Sequence, residues 1–272
     1  MTLVMGVLNV TPDSFYDGGL WATPEAAIER GRQMVDDGAD IVDVGGESTR
    51  PNATAVDESE ELRRVVPVVR GLAGAVAGRA RISVDTRKRG VAEAAIEAGA
   101  TVINDVSASL WPVAAEAGAG WVAMHMRGQP ADMMDLARYR DVVGEVRDYL
   151  VQKAQQASAA GVREIWVDPG IGFAKTTAHN LAILARLDDL VATGWPVVVG
   201  LSRKRFTGVL ATGEEGRPAP LEARLETSLA GAVWCMAQGV AMVRVHDVKA
   251  TADAAKLVGA AATCLAGEKA RS

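Results

Sequence analysis

The sequence contains little cysteine, histidine or aromatic residue, and each shortage excludes a class of function. Two cysteines, Cys235 and Cys264, and three histidines in 272 residues form no C-x-x-C pair and no cluster at metal-ligand spacing. We expect both thiols to be buried in a protein of the reducing cytoplasm. Aromatic residues make up only 4% of the chain, so an aromatic residue in a loop is a candidate for ligand contact.

Long apolar runs and an excess of positive charge are also missing. No stretch approaches the roughly 18 consecutive apolar residues of a membrane span. The net charge of −5 and pI near 5.4 argue against a nucleic-acid surface, although a local basic pocket can still hold a small anion. With 49% hydrophobic residues, 23% charged residues and a mean hydropathy of +0.10, the chain can bury one large core. We therefore expect a single domain over residues 1–272 with a small-molecule ligand.

Short apolar runs alternate with amphipathic stretches along the whole chain. Helical spacing occupies residues 24–36, 58–72, 89–97 and 141–160. Eight buried strands with intervening helices predict an α/β fold of the (β/α)8 TIM barrel type. A doubly wound open sheet is the alternative, but no G-x-G-x-x-G follows the first run, where the chain has NVTPDS at 9–14. The eight runs are residues 4–8, 41–44, 82–84, 102–103, 122–124, 165–167, 197–199 and 242–245.

A polar residue follows or ends one run after another, which in a TIM barrel is the catalytic face. Among these, Asp85, Asn104 and Asp168 offer two carboxylates and an amide to one central volume. Such a set can bind the edge of a flat heterocycle, as in a pterin or a guanine-like ring. The alternative for each is a hydrogen-bonded strand end with a structural role. The polar residues concerned are Asn9, Asp43, Asp85, Asn104, His125, Asp168, Lys204 and Arg244.

Three loops carry further candidates. The amide of Asn9 can hold a phosphate oxygen or Mg²⁺, or can simply cap a turn. The planar guanidinium of Arg50 can bind a carboxylate or phosphate through two hydrogen bonds. The alternative is a solvated loop arginine. Phe173 lies in a glycine-spaced loop, where packing against a ligand ring is favoured over a role as a loop anchor.

The segments after the seventh and eighth runs predict a polyanion site, because TIM barrels often bind phosphate there. Arg203 and Arg205 are interpreted as solvated charges at a helix start. His125 is interpreted as structural rather than as a base, since no second ligand or carboxylate lies at metal-ligand spacing. The residues offered to the anion are Ser202, Lys204, Arg244 and His246.

Seven motifs, in order over nearly the full length, resemble the dihydropteroate synthase family. They are GVLNVTPDSF at 6–15, DVGGESTRP at 43–51, SVDT at 83–86, INDV at 103–106, DPGIGF at 168–173, SRK at 202–204 and RVHD at 244–247. The resemblance implies a homodimeric TIM barrel of folate biosynthesis. Its reaction joins 6-hydroxymethyl-7,8-dihydropterin diphosphate to 4-aminobenzoate and releases diphosphate, and the family is a sulfonamide target.

The resemblance also assigns roles to matching positions. The pterin would be held by Asp85, Asn104, Asp168 and Lys204, with Met124 lining its slot. The diphosphate would be held by Asn9, Arg244 and His246, with Mg²⁺ bridging to Asn9. The aminobenzoate site would be shaped by Thr49, Arg50, Pro51, Phe173 and Ser202. Asp85, Lys204 and Arg244 are the residues expected to contribute most to catalysis.

The implied chemistry needs no protein nucleophile. The diphosphate leaves a methylene group on an electron-rich ring, so a carbocation-like state forms if the departing charge is neutralised and an anion faces the positive carbon. Asp85 is the candidate anion. Two departures from the family pattern affect loop geometry: residues 107–109 are Ser-Ala-Ser where glycines are usual, and Asn52 replaces a glycine after Pro51.

Two alternatives remain from the sequence. A methyltetrahydrofolate-binding methyltransferase barrel shares the pterin-binding acid and amide, but should lack the Thr49-Arg50-Pro51 loop and the 202–204 motif. A non-catalytic pterin-binding paralogue would be expected to have lost Lys204, Arg244 or Asn9, all of which are present.

Overall fold

The structure is a computed structural model, and it describes residues 1–11, 23–48, 55–129 and 132–269. The strands are β1 (Leu3–Asn9), β2 (Ile41–Gly45), β3 (Arg81–Asp85), β4 (Val102–Asp105), β5 (Gly120–Met124), β6 (Ile165–Asp168), β7 (Val198–Val199) and β8 (Met242–Val245). The helices are α1 (Pro24–Asp36), α2 (Glu58–Ala75), α3 (Arg89–Glu97), α4 (Trp111–Ala117), α5 (Val142–Ala159), α6 (Thr177–Ala185), α7 (Leu187–Val191), α8 (Arg205–Thr212), α9 (Leu225–Ala237) and α10 (Val248–Lys269), with a 3₁₀ turn at Leu221–Arg224. Along the described residues, one α-helix follows each strand, except that two follow β6 and two follow β7.

All eight strands are parallel, in the order β6-β5-β4-β3-β2-β1-β8-β7. A bridge between Val167 and Val197 joins β6 to β7 and brings the two ends of the sheet together. The predicted TIM barrel is therefore confirmed. The predicted seventh strand is shorter than expected, because Val197 makes only that isolated bridge.

The helix termini follow local capping chemistry. The Thr23 hydroxyl accepts a hydrogen bond from the Ala26 amide, with Pro24 in the first helical position, and so begins α1. Thr176 and His179 form a reciprocal capping box at the start of α6. Gly118 and Gly213 end α4 and α8 in the left-handed region, which glycine adopts without a steric penalty.

The core has two layers, one between the strands and the surrounding helices and one inside the barrel. The inner layer takes one apolar side chain from each of seven strands and fills the barrel below its carboxyl end. Its members are Met5, Ile41, Val102, Val122, Trp166, Val198 and Met242.

One expectation about the cysteines is wrong. Cys235 is buried, and burial raises the pKa of its thiol to about 12. Cys264 is exposed and lies near the end of α10. Among the described residues, no helix is long and apolar enough to cross a bilayer.

Candidate active site

The side chains at the barrel mouth lie two residues beyond the apolar inner layer. Since alternate residues of a strand face the same side, the residue two positions after each inner-layer member also faces the barrel interior. Asp43 thus follows Ile41 by two residues, Asn104 follows Val102, and Asp168 follows Trp166. The upper layer obtained in this way contains Val7, Asp43, Asn104, Met124, Asp168, Gly200 and Arg244, and Asp85 joins it two residues after the buried Ser83 of β3.

Arg244 is the centre of this layer. Its Nε donates to Asp43 Oδ2 at 2.6 Å, and its Nη2 donates to Asp85 Oδ2 at 2.6 Å. The amide of Asn104 donates to the same Asp43 oxygen at 2.9 Å. The side-chain oxygen Oδ1 of Asn104 is consequently left as the acceptor that a ligand N–H can use. One buried network thus couples the amide to the guanidinium.

Asp168 and Lys204 lie on the other side of the mouth. Asp168 Oδ1 accepts from the Gly170 amide at 2.7 Å. Lys204 Nζ donates to the Ile171 carbonyl and lies 4.4 Å from the centroid of the Phe173 ring. The lysine is therefore in contact with the loop that follows β6.

Burial shifts the titration of these groups. It raises the pKa of Asp85 to about 7, against the attraction of Arg244, and it raises the pKa of Asp168 against that of Lys204. Burial also lowers the pKa of Lys204 to about 8, although Asp168 opposes the change. Titratable groups perturbed by burial and by each other at a barrel mouth are typical of a catalytic site.

Two glycines leave space between these side chains. A β-carbon on Gly45 would lie 3.7 Å from both Asn9 Oδ1 and Asp85 Oδ2. One on Gly200 would lie 3.6 Å from the Arg244 β-carbon and 3.9 Å from Asp168 Oδ2. A ligand can therefore approach the backbone where larger residues would block it.

The predicted anion residues come from two neighbouring loops. Ser202 is buried, and its hydroxyl accepts from the His246 amide at 3.2 Å and lies 3.2 Å from His246 Nδ1. The interpretation of Arg203 as a solvated charge is wrong. Its guanidinium forms two bonds to Asp247, at 3.0 and 2.6 Å, which join the loops after β7 and β8. Arg205 is exposed as expected and pairs with Glu215.

Glu47 connects the loop after β2 to the segment after β3. Its Oε1 accepts from the Val56 amide at 3.3 Å and from Arg87 at 3.0 Å, and its Oε2 accepts from Lys88 at 2.7 Å. Burial would raise the pKa of Glu47, but the two cations outweigh it and lower that pKa. The predicted residues Thr49, Arg50 and Pro51 lie outside the described residues, as does Asn52.

The departure at residues 107–109 has a local explanation. Ala108 adopts φ of +49°, a left-handed conformation in which glycine is unstrained. Asp105 holds this turn by accepting from the amides of Ser107, Ser109 and Leu110 at 2.9, 2.7 and 2.6 Å. The turn therefore keeps a left-handed residue without its glycine.

His125 is buried away from the upper layer, and burial lowers the pKa of its imidazole to about 3. That value leaves it neutral, as expected for a structural histidine. Sequence reasoning gave no role to Asp43, although it is a strand-end acid, or to the buried Lys175, which lies in the 168–175 loop. The strand alternation that explains the upper layer is the signal that could have identified Asp43.

The chain matches the family model described as "Pterin binding enzyme" over residues 5–246. It is 48% identical over 265 residues to a dihydropteroate synthase from Mycobacterium leprae, covering 94% of this chain and 92% of the relative. It is 42% identical over 263 residues to the Escherichia coli enzyme of that name, covering 94% and 90%.

Solved structures of dihydropteroate synthases also resemble this chain in fold and sequence. Dihydropteroate synthase from Xanthomonas albilineans with 4-aminobenzoic acid superposes with a TM-score of 0.86 at 45% identity, covering 96% of this chain and 93% of that one. The Yersinia pestis enzyme in a sulfonamide complex gives 0.89 at 40% identity, with 96% and 94% covered. The Thermus thermophilus enzyme in complex with 6HMPPP gives 0.80 at 42% identity, with 95% and 94% covered.

Proposed function

The chain belongs to the pterin binding enzyme family and, within it, to the dihydropteroate synthases, and from that premise we propose how its site performs the family reaction. It is a transferase that condenses 6-hydroxymethyl-7,8-dihydropterin diphosphate with 4-aminobenzoate in folate biosynthesis, giving 7,8-dihydropteroate and diphosphate. The observation that carries the assignment of roles is the upper layer, in which an amide and two buried acids surround one guanidinium.

The pterin binds between β3, β4 and β6. The side-chain Oδ1 of Asn104 and the carboxylates of Asp85 and Asp168 accept its N–H groups, and Met124 packs against the ring. Gly170 packs against the backbone of His125 and the side chain of Met124, where a β-carbon would clash with the His125 carbonyl oxygen and lie 3.4 Å from Met124 Cγ. Lys204 donates to a ring acceptor from the loop after β7.

The diphosphate binds at Arg244, His246 and Asn9, at the carboxyl ends of the paired strands β1 and β8. Arg244 holds Asp85 by one N–H of Nη2, so a diphosphate oxygen competes with Asp85 for the same cation. Binding of the anion then leaves more of the Asp85 charge facing the pterin methylene. Departing negative charge and developing positive charge are each matched by a fixed group.

The chemical step breaks the bond between the methylene carbon and the diphosphate oxygen, and the leaving diphosphate keeps the electron pair. Asp85 faces the resulting carbocation-like carbon, while Arg244 and His246 face the leaving group. The amine of 4-aminobenzoate then attacks with its lone pair and loses a proton afterwards. The protein accelerates the reaction by positioning the substrates and by electrostatic stabilisation, and it forms no covalent bond to either substrate.

Mg²⁺ fits the oxygen donors at this mouth. Asn9 Oδ1 faces the space over Gly45 together with an Asp85 oxygen, and no group of three His, Cys, Asp or Glu side chains that could bind a metal occurs in the described part of the chain. An ion held by Asn9 would therefore take its other ligands from diphosphate and water, as Mg²⁺ usually does. When bound, it neutralises charge on the leaving diphosphate.

The 4-aminobenzoate site lies at the Phe173 ring and Ser202, and is completed by Thr49, Arg50 and Pro51. A guanidinium suits the carboxylate of this substrate, and an aromatic face suits its ring. Sulfonamides share this ring and amine, so they occupy the same place.

We take residues 1–272 as one cytoplasmic domain that forms a homodimer. The neighbouring helices α6, α8 and α9 each leave a large apolar side chain in contact with solvent, at Leu181, Leu210 and Trp234, of which Trp234 is 49% exposed. Such a patch is typical of an interface. Trp234 lies in a stretch of small and apolar residues at 229–236.

The test uses the purified chain with the pterin diphosphate and Mg²⁺, with and without 4-aminobenzoate, and measures diphosphate release and dihydropteroate. We expect both products in equal amounts and only when the amine is present. Pterin binding without either product would instead identify a non-catalytic paralogue.

A further inference from the structure

Lys175 is a buried cation that the proposed mechanism does not use. It is 2% exposed. Its Nζ donates to the Phe173 carbonyl at 3.0 Å and to the His125 carbonyl at 3.4 Å, and it lies 3.0 Å from His125 Nδ1. Three acceptors around one nitrogen match the three N–H groups of an ammonium. This single side chain therefore bonds the loop after β6 to the loop after β5.

The loop that Lys175 ends is strained. Its backbone enters the left-handed region at alternate residues, with φ of +65° at Gly170, +82° at Gly172 and +50° at Ala174. The last of these is unfavourable, because the β-carbon of alanine approaches the backbone in this conformation. Such a conformation persists only where surrounding contacts determine it. Asn180, which accepts from the Gly172 amide at 2.9 Å, and Lys175 supply those contacts.

Two lysines contact this loop from opposite sides. Lys204 reaches it from the barrel mouth, at the Ile171 carbonyl and the Phe173 ring. Lys175 reaches the Phe173 carbonyl from the buried side. The ring of Phe173 is thus attached to a backbone whose path depends on both ammonium groups.

The surroundings of Lys175 favour a charge that is easily lost. Burial lowers its pKa to about 7, with Lys204 and Arg127 acting in the same direction and Asp168 in the opposite one. The Tyr139 ring lies 5.9 Å from Nζ. His125 is neutral, so its Nδ1 can accept.

We propose that Lys175 is a positioning residue for 4-aminobenzoate, holding Phe173 in place through its bonds to the Phe173 and His125 carbonyls and to the His125 ring. The inference rests on the proposed role of Phe173 in the aminobenzoate site. Lys175 touches no reacting atom, so its loss affects the amine substrate more than the pterin.

The test is a double-mutant cycle between Phe173→Ala and Lys175→Met, with Lys256→Met on the exposed face of α10 as the matched control. Methionine keeps the stem and removes the charge. We expect KM for 4-aminobenzoate to rise by roughly tenfold or more in K175M, while kcat at saturating amine and pterin diphosphate affinity change little. In the F173A background, K175M should add almost nothing, because both changes remove the same ring position. K256M should match the wild type.

A pH profile supplies a second readout. KM for 4-aminobenzoate in the wild type should rise above about pH 7, as Lys175 loses its proton, and the K175M profile should lack that rise. Lys204 titrates in both proteins, so the difference between the profiles isolates Lys175.

The outcomes separate the two claims. If F173A leaves KM unchanged, the proposed aminobenzoate site is wrong. If F173A raises KM but K175M has no effect, or the two effects add fully, the positioning role of Lys175 is overturned. Lys175→Gln, a second neutral replacement, is measured in the same way if K175M is insoluble.

Discussion

Asp43→Asn is the substitution that most sharply tests the upper layer, because it changes charge with almost no change in shape. Asp43 is fully buried and accepts from both Arg244 and Asn104 through one oxygen. An asparagine oxygen can keep both bonds, but the bond from Arg244 loses the charge of the acceptor and the bond from Asn104 becomes neutral, at a cost of about 1 kcal/mol for each bond. The new Nδ2 replaces Oδ1, for which the described residues provide no partner, and this adds about 1 kcal/mol more.

The total of about 3 kcal/mol should lower the melting temperature by roughly 6–10 °C. The affinity for the pterin diphosphate should also fall, because Arg244 and Asn104 lose their common anchor. Thermal unfolding and calorimetric titration measure the two effects. Asp253→Asn, which removes one exposed ion-pair partner on α10, is the control and should match the wild type. A D43N protein with unchanged melting temperature and affinity would refute the network reasoning.

Three further predictions follow from the same geometry. Lys204→Ala should weaken pterin binding and turnover, since its ammonium bonds Ile171 and faces the ring site; unchanged kinetics would remove it from the site. Asp85→Asn should keep the fold and lower kcat by roughly 100-fold or more. Wild-type kcat should fall below about pH 7, as this carboxyl gains a proton, and a D85N enzyme with normal turnover would exclude the charge as a contributor. The pKa of His125 is about 3 in the fold against 6.5 ordinarily, so the unfolded chain binds the proton first. The free energy of unfolding should be steady above pH 6.5 and fall below it by about 1.4 kcal/mol per pH unit. Urea unfolding at pH 7 and pH 5 measures this fall, which His125→Gln should lack. A wild type without the fall, or a variant that shows it in full, would contradict the argument.

The barrel and its polar mouth follow from strand periodicity. The apolar runs place Ile41, Val102 and Trp166 inside the barrel, and the residue two positions later then faces the mouth. Counting strands was enough to predict the fold, and the polar strand ends identified Asp85, Asn104, Asp168 and Arg244 of the upper layer. Asp43 was recognised as a strand end but given no role, because its partner Arg244 lies 201 residues away.

Side-chain pairing between loops could not be predicted in the same way. The partner of Arg203 is Asp247, which comes from the next βα unit, so the local sequence around Arg203 resembles an ordinary solvated helix start. Lys175 likewise looks like a surface residue beside Thr176. It is buried because the left-handed turns at Gly170, Gly172 and Ala174 fold the loop back over His125. Packing between segments distant in sequence therefore determines both the Arg203–Asp247 pair and the burial of Lys175.

The central claim is that the diphosphate departs before the amine attacks, with fixed charges stabilising both fragments. The direct measurement incubates the protein and Mg²⁺ with pterin diphosphate that carries oxygen-18 in the bridge between the methylene carbon and phosphorus, without amine. Phosphorus NMR then follows the label in the recovered substrate. We expect the label to move into non-bridging positions. A label that stays in the bridge, in a preparation that forms dihydropteroate once the amine is added, would contradict the account.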